Sequence, residues 1–409
     1  MSSFSIALSG LTASSSNLDI TANDIANANT VGFKGSRAEF ADVYASGAVN
    51  LNTSVTGEGV RLATSAQQFT QGNISTSSSN LDLAISGDGF YTLKGPNGLV
   101  YSRNGQFAED SKGNVVSSTG QALQVYPPLV NGGFNTGALS NLNLQTAQSA
   151  PQATTTGTVI LNLPAGGPVP TVPGFNPNNS LTYNQSTSTT VYDSLGESYP
   201  ATMFFSQTAV PNVWTVNMTV AGTVVGAGQN LTFSNTGAQT APVGGGLTFA
   251  PFAPPDGAQA MSMNFNFGQT TNYGGSFGVT SITQNGFATG QLSTVAIDNS
   301  GIVSAVYTNG RSTELGQLAM ANFPNPQGLK QLGDTTWTET FTSGNVVQGT
   351  ADSAGFGSIQ SGALESSNVD LTTELVNMIT AQRSFDANAQ VITAANAESQ
   401  TVIQVASHG

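Results

Sequence analysis

The last forty or so residues, 369–409, carry the pattern that most limits what this chain can become. Leu371, Leu375, Met378, Phe385, Ala389, Ile392 and Ile403 recur in alternating steps of four and three, and only Gln382, Asn396 and Ser399 break the stripe. No proline interrupts the run, and its only glycine is terminal. The spacing predicts a helix of about 38 residues, roughly 57 Å long at the standard rise. Asp370 and Glu374 fall in its first turns, where negative charge suits the helix dipole. A helix that long with one narrow apolar seam needs a partner helix.

The other end of the chain offers that partner. Phe4, Leu8, Leu11, Leu18, Ala22 and Ile25 repeat the spacing, broken at Ser15, and predict a second helix from Phe4 to Ala28. Both seams are thin and set among Ala, Ser, Asn and Thr. The pair is therefore expected to be weak in one chain and firm once neighbouring copies add helices. Phe4, Leu8, Leu11, Leu18, Ile25, Leu371, Leu375, Met378, Phe385 and Ile392 are the candidate assembly seam.

Composition narrows the function classes. Charged residues make up 8% of the chain, against about 25% in an ordinary soluble domain. Nine Lys+Arg against 22 Asp+Glu leave a net charge of −13 and no basic patch for a nucleic acid. The chain has no cysteine, which removes disulfides and thiol chemistry. Its one histidine, His408, leaves no material for a histidine triad or metal site. Asp82 and Asp88 flank a turn, and turn chemistry accounts for them better than an acid–base pair does. Gly244, Gly245 and Gly246 lack the lysine and helix of a phosphate loop. No enzyme activity, cofactor, metal or small-molecule substrate is expected. No stretch approaches the roughly 20 apolar residues of a membrane span, and Met1–Leu11 lacks the features of a secretory signal. The chain is expected to be cytosolic or to leave the cell without a cleaved signal.

Between the ends the pattern is β. Asn29 to Lys34 stops the first helix, with Gly32 as a left-handed cap. Arg37 to Thr76 reads as extended and irregular. From Asn80, short alternating runs are separated by turns at Ser86–Gly89, Gly95–Gly98, Asn104–Gly105 and Lys112–Asn114, the signature of an antiparallel domain. From Leu144 to Gln284 proline and glycine rise, and Val213–Met218 alternates with period two, as in an inserted sandwich or barrel. Residues 292–350 return to the earlier style and complete the first β domain. The expected fold class is mixed, mainly β: a terminal α-helical coiled coil and two nested antiparallel β domains. The coiled coil takes 1–30 and 369–409, extended connectors 31–79 and 351–368, the discontinuous β domain 80–143 and 285–350, and the inserted domain 144–284.

Three strings match a known pattern. Ser9-Gly10-Leu11 through Ala26-Asn27-Ala28-Asn29-Thr30-Val31-Gly32-Phe33-Lys34 is the first. Asp82-Leu83-Ala84-Ile85-Ser86-Gly87-Asp88-Gly89-Phe90, with Tyr101-Ser102-Arg103-Asn104-Gly105, is the second. Ser361 through Asp370, followed by Ala381-Gln382-Arg383-Ser384-Phe385, is the third. In this order they resemble the bacterial flagellar rod/hook axial family, with Asn27, Thr30, Gly32, Phe33, Lys34, Asp82, Gly87, Gly89 and Phe90 as motif residues. Tyr192-Asp193-Ser194-Leu195-Gly196, Trp214 and Gly286 through Leu292 resemble the insert of the hook members rather than the distal rod members, which usually lack it.

The resemblance implies a subunit that polymerises with itself into a curved hollow tube, a universal joint carrying torque from motor to filament. It implies partners in the flagellar rod protein, the hook cap, the hook–filament junction proteins and the flagellar type III export apparatus, and an extracellular place in the flagellum. It implies neither nucleic acid nor membrane insertion. Crossings near Leu144 and Gln284 are expected to hinge. A distal rod subunit and a surface carbohydrate-binding β protein are the rival readings. Phe33, Lys34 and Arg37 read either as a contact to a neighbouring subunit or as a helix cap with a solvated flank.

Overall fold

The computed structural model describes residues 2–43, 57–144 and 148–408. It divides into two compact units, one of residues 1–145, 294–305 and 313–409, the other of 146–293 and 306–312. Residues 145–147, at the first expected hinge, lie outside the described residues.

In the first unit, helix α1 spans Ser2–Ala26 and helix α2 spans Leu371–His408, 25 and 38 residues. Asp370 caps α2, its Oδ1 accepting the Thr373 N–H at 2.7 Å. At the end of α1, Asn27 donates its amide to the Asn23 carbonyl at 2.9 Å, and the Thr30 hydroxyl donates to Asn27 Oδ1 at 3.1 Å. Gly32 then turns with φ +70°, and a Cβ there would stand 2.5 Å from the Asn104 nitrogen. Only glycine allows both that turn and that approach.

The segment read as extended and irregular contains an antiparallel ribbon, β1 (Ser36–Asp42) and β2 (Val60–Gln67). It leans on α1: the Ser36 N–H donates to Asp24 Oδ2 at 2.9 Å and the Val60 N–H to Ser9 Oγ at 3.1 Å. A two-stranded ribbon is marginal alone, so its support comes from the helix, and its own half-exposed polar strands gave no apolar signal. Segments before and after the β block also pair. Ile74–Thr76 pairs with Ala363–Glu365, and Leu83–Ser86 with Ser358–Ser361.

The β block of this unit is built from both halves of the chain. Strand Ser312–Asn322 pairs with Phe90–Gly95 and Ala122–Tyr126, setting Met320 opposite Tyr91 and Leu318 opposite Val125. Trp337 pairs opposite Tyr101. Leu83, Tyr91, Leu93, Leu123, Leu318 and Met320 form the core. A second cluster, Phe90, Tyr101, Phe323 and Trp337, is held by edge-to-face rings 4.8–6.0 Å apart.

The second unit is a sandwich. Four strands run in the order Gly246–Phe252, Met261–Asn266, Thr156–Asn162, Gly278–Gln284; the second and third are parallel, the other pairs antiparallel. The facing sheet orders Gln185–Tyr192, Ser198–Gln207, Val213–Val220, Gln229–Phe233 and Gln239–Ala241. Val159, Met203, Phe205, Trp214, Val216 and Phe265 fill the space between them. Alternation along Val213–Val220 put Trp214 and Val216 on that inner face, as the period-two pattern requires. Phe205→Ala is expected to lower the stability of this unit by about 3–5 kcal/mol, read by denaturant unfolding, while hydrogen exchange in α1 and α2 stays unchanged.

Candidate assembly face and the buried charge junction

The two helices run antiparallel, with Gly10 against Asn388 and Asp24 beside Glu374. α1 meets α2 with Ala7, Gly10, Ser14, Asn17, Thr21 and Asp24, a heptad row of small and polar residues. A Cβ on Gly10 would lie 2.7 Å from Asn388 Oδ1, so the row permits close approach. The apolar seam overlaps that face only in part. Phe4 and Leu8 are exposed, and Leu11, Leu18 and Ile25 are half-buried.

On α2, Met378, Phe385 and Ile392 are half-buried with Glu374, Asn388 and Ala395 at heptad steps, and Ala381 is buried. Leu371 and Leu375 stay exposed, and so do Val376 and Ile379, which sequence reasoning did not single out. Gly10 opposite Asn388 places the start of α1 near Asn396, so about a dozen residues of α2, roughly 18 Å, run on beyond α1. Val402 and Ile403 on that overhang are each 67% exposed. His408 ends α2, and its side chain lies outside the described residues.

Below the helices the three motif strings converge. Lys34 Nζ lies 2.7 Å from Glu365 Oε1, and Arg103 Nη1 lies 3.1 Å from Glu365 Oε2. Lys34 and Glu365 have no exposed side-chain surface, and Arg103 has 4%. The junction is dense with backbone partners, though Arg103 Nε is buried without a hydrogen bond among the described residues. Lys34 also donates to the Thr70 carbonyl at 2.8 Å, the Gly72 N–H donates to Glu365 Oε1 at 2.8 Å, and Arg103 Nη2 donates to the Gly87 carbonyl at 2.7 Å. The Gly32 N–H donates to the Glu365 carbonyl at 2.8 Å. Burial pulls the Lys34 ammonium below the usual lysine range, against the upward pull of the Glu365 carboxylate.

The other motif residues serve the same place. The Arg103 guanidinium stands 5.7 Å over the Phe90 ring, and Phe33 is buried. Gly87 and Gly89 take φ of +109° and +116°. Asp82 accepts the Ser77 hydroxyl, and its carbonyl accepts the Gly362 N–H at 2.8 Å. Of the two readings for Phe33, Lys34 and Arg37, neither fits the first two, which are core. Arg37 is exposed and meets Glu39 at 3.2 Å. Arg103 and Glu365 were inside the quoted strings but were not singled out. Their signal was the scarcity of charge: an ionised residue inside each of three motifs of such a chain needs a partner.

Comparison with known proteins fits this geometry. Residues 4–34 match the family model "Flagella basal body rod protein", 84–161 "Flagellar hook protein FlgE/F/G D1 domain", 162–287 "Flagellar basal body protein FlaE D2 domain" and 360–405 "Flagellar basal body rod FlgEFG protein C-terminal". The chain is 37% identical over 398 residues to the flagellar hook protein FlgE of Escherichia coli, covering 95% of this chain and 96% of the relative. It is 38% identical over 402 residues to that of Salmonella typhimurium, with the same coverage. The chain belongs to the flagellar hook protein family. The crystal structure of Helicobacter pylori flagellar hook protein FlgE2 shares the fold, with a TM-score of 0.52 at 13% identity over 71% of this chain and all of that one. Three of the four matches place the buried junction where the N-terminal, D1 and C-terminal regions of the family meet, since they contain Lys34, Arg103 and Glu365 respectively.

Two expectations follow for this family member. Glu365→Ala orphans two buried cations and should cost about 3–5 kcal/mol, measured by denaturant unfolding of the first unit. Asp24 is buried, and desolvation pushes its carboxyl up to about 6, helped by nearby Glu374 and opposed by the Ser36 N–H. A carboxyl raised on folding contributes stability that is present below its unfolded value and lost as pH rises through about 6. Hydrogen exchange at the end of α1, corrected for intrinsic rate, should therefore quicken as pH rises from about 4 through about 6 and level off above that. Asp24→Asn should flatten that dependence.

Proposed function

We propose that this chain is the structural subunit of a flagellar hook, polymerising with itself into a curved hollow tube that flexes while it transmits torque. The observation that carries the reading is the set of apolar side chains left uncovered toward the ends of both terminal helices. A monomer has no use for exposed Phe4, Leu8, Leu371, Leu375, Val376, Val402 and Ile403 on one helical pair. A second copy laying its helices alongside buries them, as heptad rows do in coiled coils.

The domain plan carried forward is the one read from sequence: helices of 1–30 and 369–409 as the polymerising part, linked by 31–79 and 351–368 to a β domain of 80–143 and 285–350, with 144–284 inserted. The β surfaces are rich in Ser, Thr, Asn and Gly and poor in charge. Contacts between such surfaces are wet and exchange at low cost, which suits rows of subunits that lengthen and shorten as a bent tube turns. The partners proposed are further copies of the chain, the rod protein, the hook cap, the hook–filament junction proteins and the type III export apparatus. The proposed location is the flagellum outside the cell, reached without a cleaved signal, and the proposed role is structural rather than enzymatic.

Leu375→Asp and Ile392→Asp are expected to abolish tube formation, seen by electron microscopy after salting-out, and to leave the melting transition of the β domains in place. Tubes formed by either variant at the wild-type protein concentration would remove the assembly role of the helices.

A further inference from the structure

The foot of the helical pair holds a carboxylate oxygen with no partner. A cleft of about 520 Å³ opens there, its wall including Thr21, Asp24, Arg37, Asp370, Glu374 and Asn377. Asp24 is 2% exposed; its Oδ2 accepts the Ser36 N–H, while its Oδ1 is buried without a hydrogen bond among the described residues. Asp370 is occupied as the cap of α2. Glu374 accepts the Asn377 amide at 3.2 Å, and its charge raises the Asp24 pKa further. Arg37, the one cation on this wall, turns to Glu39 with 71% of its side chain exposed.

The complementary group lies elsewhere on the same helices. Arg383 is the only Lys or Arg on α1 or α2, and it is exposed. It meets no carboxylate within 4.0 Å among the described residues. It stands one turn from Ile379 and two turns from Val376, which are 47% and 58% exposed. Covering that apolar face carries the guanidinium into a desolvated interface, where an unpaired charge is strongly unfavourable. A cation without an ion-pair partner on the face and a carboxylate oxygen without a hydrogen bond at the cleft answer each other.

We propose that the cleft at the foot of the helical pair receives the Arg383 guanidinium of a second copy of this chain. The proposal rests on the self-assembly reading and adds to it a charged contact that sets register between copies. A planar guanidinium with five donors can bond the Glu374 carboxylate and offset the Asp24 charge behind it, which a point-like ammonium does less well. The contact also accounts for a buried aspartate on a helix that otherwise meets its partner with small residues.

The test is polymerisation of the full-length protein, followed by light scattering across a salt series, for wild type, Asp24→Asn, Arg383→Gln and the double variant. Each single variant is expected to raise the critical concentration roughly tenfold, the scale of one charge-assisted hydrogen bond. The double variant should be no worse than the weaker single, and the salt dependence of the wild type should fall in all three. Single-variant effects that multiply in the double would overturn the proposal, because the two groups then do not meet. So would a shift in the monomer's melting temperature on Arg383→Gln, which would place the partner of Arg383 in its own chain. An Arg37→Gln loss equal to that of Asp24→Asn would overturn it too, by making Arg37 the cation of the cleft. Failure of the wild type to polymerise at all would instead overturn the assembly reading, and is scored separately.

Discussion

The Glu365 carboxylate is the point on which the first unit turns. It draws in Lys34 from the end of the N-terminal motif and Arg103 from the β block, 331 and 262 residues away in sequence. Each ion has lost its water, so none is tolerable without the others. The cluster therefore acts as a register lock. The strand Ala363–Glu365 cannot slip by one residue against Ile74–Thr76 without turning the carboxylate to the opposite face. Backbone groups around it are fixed by the same three side chains: the Gly72 N–H by Glu365, the Thr70 carbonyl by Lys34 and the Gly87 carbonyl by Arg103.

That lock explains how two helices with so poor a mutual interface can have a defined start. Ala7, Gly10, Ser14 and Thr21 bury little apolar area, and burial contributes only about 25 cal/mol per Å². The helical pair is thus held mainly from its foot, by Asp24 on Ser36, by Asn368 bridging the Gly35 N–H at 2.8 Å and the Gln68 carbonyl at 2.7 Å, and by the junction beneath. Burial then fades along α2, from Ala381 through half-buried Ile392 to exposed Ile403. Local stability follows buried contact, so the far end of α2 is where hydrogen exchange should be fastest and where a neighbour has most to add.

Much of this was legible in the chain. The terminal helices followed from heptad spacing, and the inserted sandwich from period-two alternation with its turns, because apolar periodicity reports burial directly. What escaped were features whose cause lies elsewhere in the fold. The ribbon β1–β2 has no apolar rhythm of its own because α1 supports it. Lys34 reads as a subunit contact or a solvated flank because its partner lies at the other end of the chain. The small and polar members of the row on which α1 meets α2 were hidden; the eye follows Phe4 and Leu8, which stay exposed.

That last misdirection has a physical reason. A helix that must serve two interfaces cannot give its large side chains to both. Small residues suffice within the chain, since the foot already fixes the geometry and close approach needs no bulk. Large ones are better placed where no lock exists, between copies, because there apolar area is the main source of affinity and must offset the lost freedom of a whole subunit. An inward row of Leu on α1 would make the lone pair firmer, but it would leave the outer face with nothing to bury. On α2 the half-buried Met378, Phe385 and Ile392 share the inward row with Ala381, while Leu371, Leu375, Val376 and Ile403 stay exposed, and those uncovered side chains favour a chain completed by its neighbours.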